Sequence, residues 1–205
     1  MTEGHRIASD VAFTPGVKAI QARKGSRGTY ARMESQGGWA TAISEELAEF
    51  IAQQTSVFLA TANAQGQPYI QHRGGPPGFL QVLDEHTIGF ADFNGNRQYI
   101  SSGNLAENPR AHLFLIDYAT QQRIKLWGSA RVVEDDKGLI ERLMPANYRA
   151  KSEQAMLFTV DAWDANCPQH IPQRLEASDV AKALQSRDQK ITELETEIRR
   201  LKSIQ

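Results

Sequence analysis

Three segments carry the residues best suited to chemistry: QPYIQHRGG (67–75), IGFADFNGNR (88–97) and RIKLWG (123–128). Each sets a cation or an amide at a strand edge or turn beside an aromatic residue or a glycine. That combination suits a ligand that is both phosphorylated and planar. An anion held without a helix N-terminus needs convergent charged donors, and a guanidinium can grip two phosphate oxygens where lysine acts as a point charge. Arg73, Arg97, Arg123 and Lys125 are the candidate donors, and the glycines near Arg73 and Arg97 let backbone approach closely. Taken singly, each has a plainer reading as a solvated strand or turn residue; their order and spacing set them apart. A second candidate is Asn166-Cys167-Pro168-Gln169-His170, where a thiol lies three residues from an imidazole. Such a thiol is nucleophilic only if its pKa is depressed, and the favoured reading is a loop whose cysteine packs as a small apolar group.

The elements that must position these residues are mostly strands. SVFLATA and QPYIQHR are joined by Asn63-Ala64-Gln65-Gly66, a hairpin signature. FLQVLD and TIGFADF meet at Glu85-His86. AHLFLIDY and RIKLWGSARVVE are separated by the polar turn TQQ, and EQAMLFTVDAWD closes the series. These segments, with few helical crossovers, predict a closed or partly closed antiparallel barrel, expected to have six strands, in a mainly β, α+β chain. In the sixth of these segments Arg123 and Lys125 alternate with Ile124 and Leu126, so both point away from the core. His72 alternates away from Gln71 and Arg73. Trp127 and Trp163 read as core or interface aromatics.

Short helices flank the strands. Thr14 and Pro15 open a helix closed by Gly25, and the stretch onward to Gly38, rich in Arg and Gly, reads as an arm that is either solvated or laid on a second subunit or ligand site. Ser44 caps an amphipathic helix over residues 44–54. Residues 97–106 read as a helix ending near Asn108-Pro109, and residues 135–144 as another. The expected division is an arm over 1–43, a barrel domain over 44–172 and a C-terminal helix over 173–205.

That last helix has its own pattern. With Ala177, Leu184, Ile191 and Ile198 at heptad position a, Val180, Arg187, Leu194 and Leu201 fall at d. Isoleucine at a with leucine at d favours two parallel strands. Lys190 and Glu197 at g then oppose Glu195 and Lys202 at e of a second copy. Arg187 is the flaw in the seam, which covers only about three to four heptads. An amphipathic helix folded back on its own barrel is the competing reading.

Composition narrows the function. At 205 residues and net charge −1 the chain suits one core-bearing domain with appendages, and near-neutral charge speaks against nucleic acid as the main partner. No apolar run approaches the ~20 residues of a membrane span, and MTEGHRIASD lacks the apolar core of a secretory signal, so the expected location is cytoplasmic. One cysteine permits no intrachain disulfide or multi-cysteine metal site. His5, His72, His86, His112 and His170 are scattered, and no metal is expected.

The run from about Ser56 to Glu134 resembles the pyridoxamine 5'-phosphate oxidase-like family of FMN-binding split barrels. The resemblance is carried by FLATANAQGQPYIQHRGG, GFADFNGNRQYISSGNLAENPRAHLFL and RIKLWGSARVV. It implies FMN bound in a groove between two barrels of a homodimer. It also implies that Gln71 and Arg73 meet ribityl and phosphate groups, Ala91 and Asp92 flank the ring, and Asn96, Arg97 and Gln98 form the polar and basic cluster at the phosphate. Arg123 and Lys125 would face the groove. This chain has Gly-Gly-Pro-Pro, Gln98 and NCPQHIPQR where the vitamin B6 oxidases are expected to carry basic residues, so the resemblance favours FMN binding over vitamin B6 chemistry. The function expected is an FMN-dependent oxidoreductase acting on a small molecule, with catalytic residues unassigned. With no Gly-x-Gly-x-x-Gly fingerprint, NAD(P)H would be a transient donor over the flavin face. A non-catalytic flavin-binding or sensory module with a C-terminal dimerisation or partner helix is the alternative.

Overall fold

The computed structural model describes residues 7–203; the start of the arm, His5 included, and the last two residues of the tail lie outside the described residues. Where apolar residues alternate, strands form: β1 (Ser56–Ala62), β2 (Pro68–Gly74), β3 (Gln81–Asp84), β4 (Thr87–Phe93), β5 (Arg110–Asp117), β6 (Gln122–Val133) and β7 (Ser152–Asn166). They form one seven-stranded sheet in the order β2-β1-β5-β6-β7-β4-β3. The expected six-stranded barrel falls one strand short: each of the seven segments read as extended forms a strand, the four-residue β3 of FLQVLD included, at the sheet edge and paired with β4. The pairings β1–β2, β1–β5, β4–β7 and β6–β7 are antiparallel, and the sheet curls until Arg73 of β2 forms an ion pair with Asp92 of β4. The mainly β barrel architecture is therefore present.

Burial follows the strand period. Along β1 every second residue is buried, and Val57, Leu59, Leu113, Leu115, Leu126, Phe90, Met156 and Phe158 meet inside the barrel. The helix α1 (Pro15–Lys24) begins at Thr14, whose hydroxyl accepts from Val17 N–H, and ends at Gly25 with φ 82°. After the next helix, α2 (Arg27–Ser35), comes α3 (Glu45–Gln53), capped by Ser44, which buries Leu47 and Ile51 in the same core. The centres of β4 and β7 are buried on both faces, because α4 (Ile100–Glu107) is followed later in the chain by α5 (Lys137–Leu143), whose Leu139, Ile140 and Leu143 cover Ala91, Ala155 and Leu157 from outside.

The arm contains the unanticipated helix α2. Its sequence has little apolar content, and tertiary ion pairs hold it: Lys18 lies 2.6 Å from Asp10 and 3.3 Å from Glu34, and Arg27 pairs with Glu34. Beyond α2 the chain packs on the barrel wall. Trp39 stacks on Trp127 with centroids 4.5 Å apart, Phe13 abuts Trp39, and Trp163 donates its indole N–H to Ala42 O at 2.8 Å.

Between Trp127 and Gly128 the β6–β7 register shifts by one residue, leaving Asp161 without a cross-strand partner. A Cβ at Gly128 would lie 1.9 Å from Thr159 O, so no side chain fits there.

The chain divides into two compact units: residues up to Ile116 with Arg123–Cys167, and Asp117–Gln122 with the chain from Pro168 onward. In the second unit, Gln121 and Gln173 side chains donate to Ile171 O and Ala119 O, and the Arg174 guanidinium lies 4.6 Å from the Tyr118 ring centroid. The tail helix α6 (Ala177–Lys202) has no buried residue. Among the described residues no helix is long and apolar enough to cross a membrane.

Candidate functional site

The curling of the sheet brings β2, the end of β4, the start of α4 and the start of β7 around one cleft, although their residues lie far apart in sequence. Gln71 and Arg73 enter from β2, Asp92 from β4, Asn96 and Arg97 from the following loop, Tyr99, Ser101 and Ser102 from the entry to α4, and Glu153 and Gln154 from β7. Its free volume is about 50 Å³. A shallower depression of about 180 Å³ adjoins it, lined by Gln71, His72, Arg73, Gly74, Ala91, Phe93 and Gly95. Gln98 sits in the same loop, its N–H donating to Asn96 Oδ1 at 3.2 Å.

At the back of the cleft is a polar network. Arg73 Nε lies 2.8 Å from Asp92 Oδ1, with side chains 16% and 9% exposed. The contact is an ion pair whose Nε–H is out of line for a hydrogen bond, so that donor is left unpartnered. Gln154 Nε2 donates to Asp92 Oδ2 at 2.8 Å, and Ser101 Oγ donates to Gln71 Oε1 at 3.1 Å. At the mouth, Arg97 is 68% exposed and 3.5 Å from Glu153 Oε1. Its Nε donates to the Tyr99 hydroxyl at 3.0 Å, and that hydroxyl donates to Glu153 Oε2 at 2.8 Å. The Tyr99 contact, then the Glu153 charge, hold the Arg97 pKa above the ordinary guanidinium value.

The loop differs from the helix expected to begin at Arg97. Arg97 and Tyr99 take φ of 60° and 53°, a left-handed conformation that a right-handed helix cannot accommodate, so α4 starts at Ile100. Its first turn, without a side-chain cap, borders the cleft through Ser101 and Ser102. The donors are therefore joined by a helix N-terminus, which favours negative charge. Ser101, Ser102, Tyr99, Glu153 and Gln154 were not among the residues singled out from sequence. The SSG run at 101–103 was the available sign of a helix entry; nothing local marks Glu153.

Not all expected residues meet. Ala91 is buried beneath the shallow depression. Arg123 pairs across the sheet with Asn166, and Lys125 forms an ion pair with Asp164 at 2.9 Å beside Trp39 and Trp127. Along β7 their partners Asn166 and Asp164 are separated from Glu153 by roughly 35–45 Å of strand, so within one chain they do not join the cleft. His72 bonds Ser56 Oγ at 2.7 Å on the strand face away from Arg73. Cys167 is exposed rather than packed as a small apolar group, because it follows the end of β7. Among the described residues, no group of three or more His, Cys, Asp or Glu is arranged to hold a metal ion.

A family profile described as pyridoxamine 5'-phosphate oxidase matches residues 43–167, more than half of the chain. A search of curated proteins found no match to this chain. Among solved structures, HupZ of Group A Streptococcus is similar at 18% identity and a TM-score of 0.50, over 65% of this chain and 99% of that one. A putative pyridoxamine 5'-phosphate oxidase of Lactobacillus delbrueckii matches at 21% identity and TM-score 0.46, over 61% and 95%. An FMN-binding protein of Syntrophomonas wolfei matches at 12% and 0.45, over 71% and 97%. The likeness to HupZ shows a shared fold.

Proposed function

The chain belongs to the pyridoxamine 5'-phosphate oxidase family, and from that membership we propose that it is a cytoplasmic, homodimeric flavoprotein that holds FMN in the β2–β4 cleft and oxidises or reduces a small molecule. The observation that carries this reading is the convergence of Arg73, Arg97, Gln71 and the α4 entry on one small polar cleft. Two guanidinium groups, an uncapped helix N-terminus and hydroxyl donors suit a phosphate. Arg97 would exchange its long contact to Glu153 for the phosphate oxygens, and Gln71 and Ser101 would serve the ribityl hydroxyls. Asp92 keeps Arg73 in place. Asn96 and Gln98 line the loop at the phosphate, and Ala91 leaves room for a flat ring above the shallow depression.

Neither depression reaches the ~300 Å³ of a usual ligand pocket. The ring therefore needs a wall from a second copy, and Arg123 and Lys125 would serve the cleft only from there. When bound, FMN supplies the electron chemistry, while the protein positions it and sets the charge around it. Pyridoxamine phosphate itself is not the proposed substrate, and NAD(P)H is the proposed transient donor. The test is the visible spectrum of the purified protein with identification of the released chromophore by mass. Oxidised-flavin bands with FMN released are expected; a colourless protein that takes up no added FMN overturns the reading.

One observation favours a second reading, a flavin-binding module without turnover. Both carboxylates at the cleft are engaged, Asp92 by Arg73 and Gln154, Glu153 by Arg97 and Tyr99, leaving neither free as a proton-transfer group. Steady oxidation of reduced nicotinamide by the FMN-loaded protein rules that reading out; a flavin that no donor bleaches supports it.

A further inference from the structure

The tail helix carries a surface that the proposed cleft does not use. In α6 Val180, Leu184, Ile191, Leu194, Ile198 and Leu201 are each between 41% and 54% exposed. All six fall at heptad positions a or d, so they form one stripe along a 26-residue helix. Half-exposed leucines and isoleucines in a continuous row mark an interaction surface rather than a solvent face. A lone polar helix is also marginal in water without tertiary packing.

We propose that α6 pairs with α6 of a second copy as a parallel two-stranded coiled coil. Charge decides both the partner and the direction. In a parallel pair Lys190 meets Glu195 of the second copy and Glu197 meets Lys202, and symmetry makes each contact twice. In the fully overlapping antiparallel pair, Lys190 instead faces Lys190 and Asp188 faces Asp188, so like charges oppose each other along both edges. Arg187 at d is the one charged residue of the seam; a parallel pair sets it beside Asp188 at e of the second copy, an opposite charge. In the single helix Lys190 and Glu197 are engaged by Glu193 at 2.9 Å and Arg200 at 2.6 Å, exposed i,i+3 contacts of small worth that the parallel pair exchanges for those across the seam.

The inference does not rest on flavin binding, and its test reads the helix directly. In full-length protein carrying Cys167→Ser, a Leu194→Cys variant places one thiol at d, opposite its own copy in a parallel pair. Thr196→Cys, at the outward position f, is the control. Under mild oxidation the Leu194→Cys protein is expected to become mostly disulfide-linked dimer, with Thr196→Cys at least about fivefold less. Adding Glu197→Lys should lower the Leu194→Cys yield, and adding Lys202→Glu to that should restore it. No cross-link at Leu194→Cys, as for a helix folded onto its own barrel, overturns the proposal. Equal cross-linking at 194 and 196 does the same. So does a link that forms only when Leu184→Cys and Leu194→Cys proteins are mixed, which signals antiparallel pairing.

Discussion

Asp92→Asn tests whether the cleft is built on a counter-ion. The substitution keeps the shape of the side chain and an oxygen for Gln154, and removes the charge 2.8 Å from Arg73 Nε. The guanidinium then stays where the fold holds it, largely desolvated and unpaired. Loss of one partner of a buried ion pair costs about 3–5 kcal/mol; the residual 16% exposure of Arg73 places this case at the lower end, about 3 kcal/mol. For a chain of this size that lowers the thermal midpoint by roughly 6–12 °C. Adding Arg73→Leu removes the orphaned charge, so the double variant should recover about 2 kcal/mol relative to the sum of the singles. Differential scanning calorimetry or thermal melts by circular dichroism read all four proteins. A drop of less than about 2 °C for Asp92→Asn, or single effects that add to within ~0.5 kcal/mol, would refute the idea that the cleft is built on this counter-ion.

Other expectations concern separate sites. Arg97→Ala should weaken FMN binding about 10- to 100-fold, the worth of a charge-assisted contact, while its exposed position leaves the melting midpoint nearly unmoved; a fluorescence titration with FMN and a melt check both. Burial, aided by Lys125, pushes the pKa of His112 down to about 4. The unfolded chain therefore takes up a proton that the folded chain refuses between roughly pH 6.5 and 4, and stability falls as pH falls through that window. Discounted for partial solvation, the loss is about 2 kcal/mol, and His112→Phe, which keeps an aromatic ring edge-on to Trp127, should flatten that part of the stability–pH curve. Gly128→Ala forces a methyl onto Thr159 O and should destabilise by about 3 kcal/mol or more, seen as a lower urea midpoint or as insoluble expression.

Much of the barrel was legible because its signals are local. The caps at Thr14 and Ser44, the Asn63–Gly66 turn and the strand alternation each need only neighbouring residues. What escaped needs the closed sheet. Arg73 and Asp92 are recognisable singly, yet their pairing depends on β2 and β4 meeting across the curled sheet, and Glu153 and Gln154 reach the cleft only because β7 lies beside β4. The alternation of Arg123 and Lys125 was readable, but not that β7 carries their cross-strand partners to its opposite end. Helix α2 hid because ion pairs with residues before and within it, rather than an apolar stripe, hold it. The entry to α4 was misplaced by three residues because the left-handed turns at Arg97 and Tyr99 are set by side-chain contacts to Glu153, on a distant strand.

The irregularity between β6 and β7 couples two positions that lie far apart in sequence. Asp161 is the supernumerary residue of the ladder, and the same distortion drives Thr159 O into the space above Gly128. Insertion and glycine are thus a matched pair under descent. A lineage that drops the residue at 161 restores a regular ladder and becomes free to carry a side chain at 128. One that retains it holds 128 to glycine however far the rest of the strand diverges.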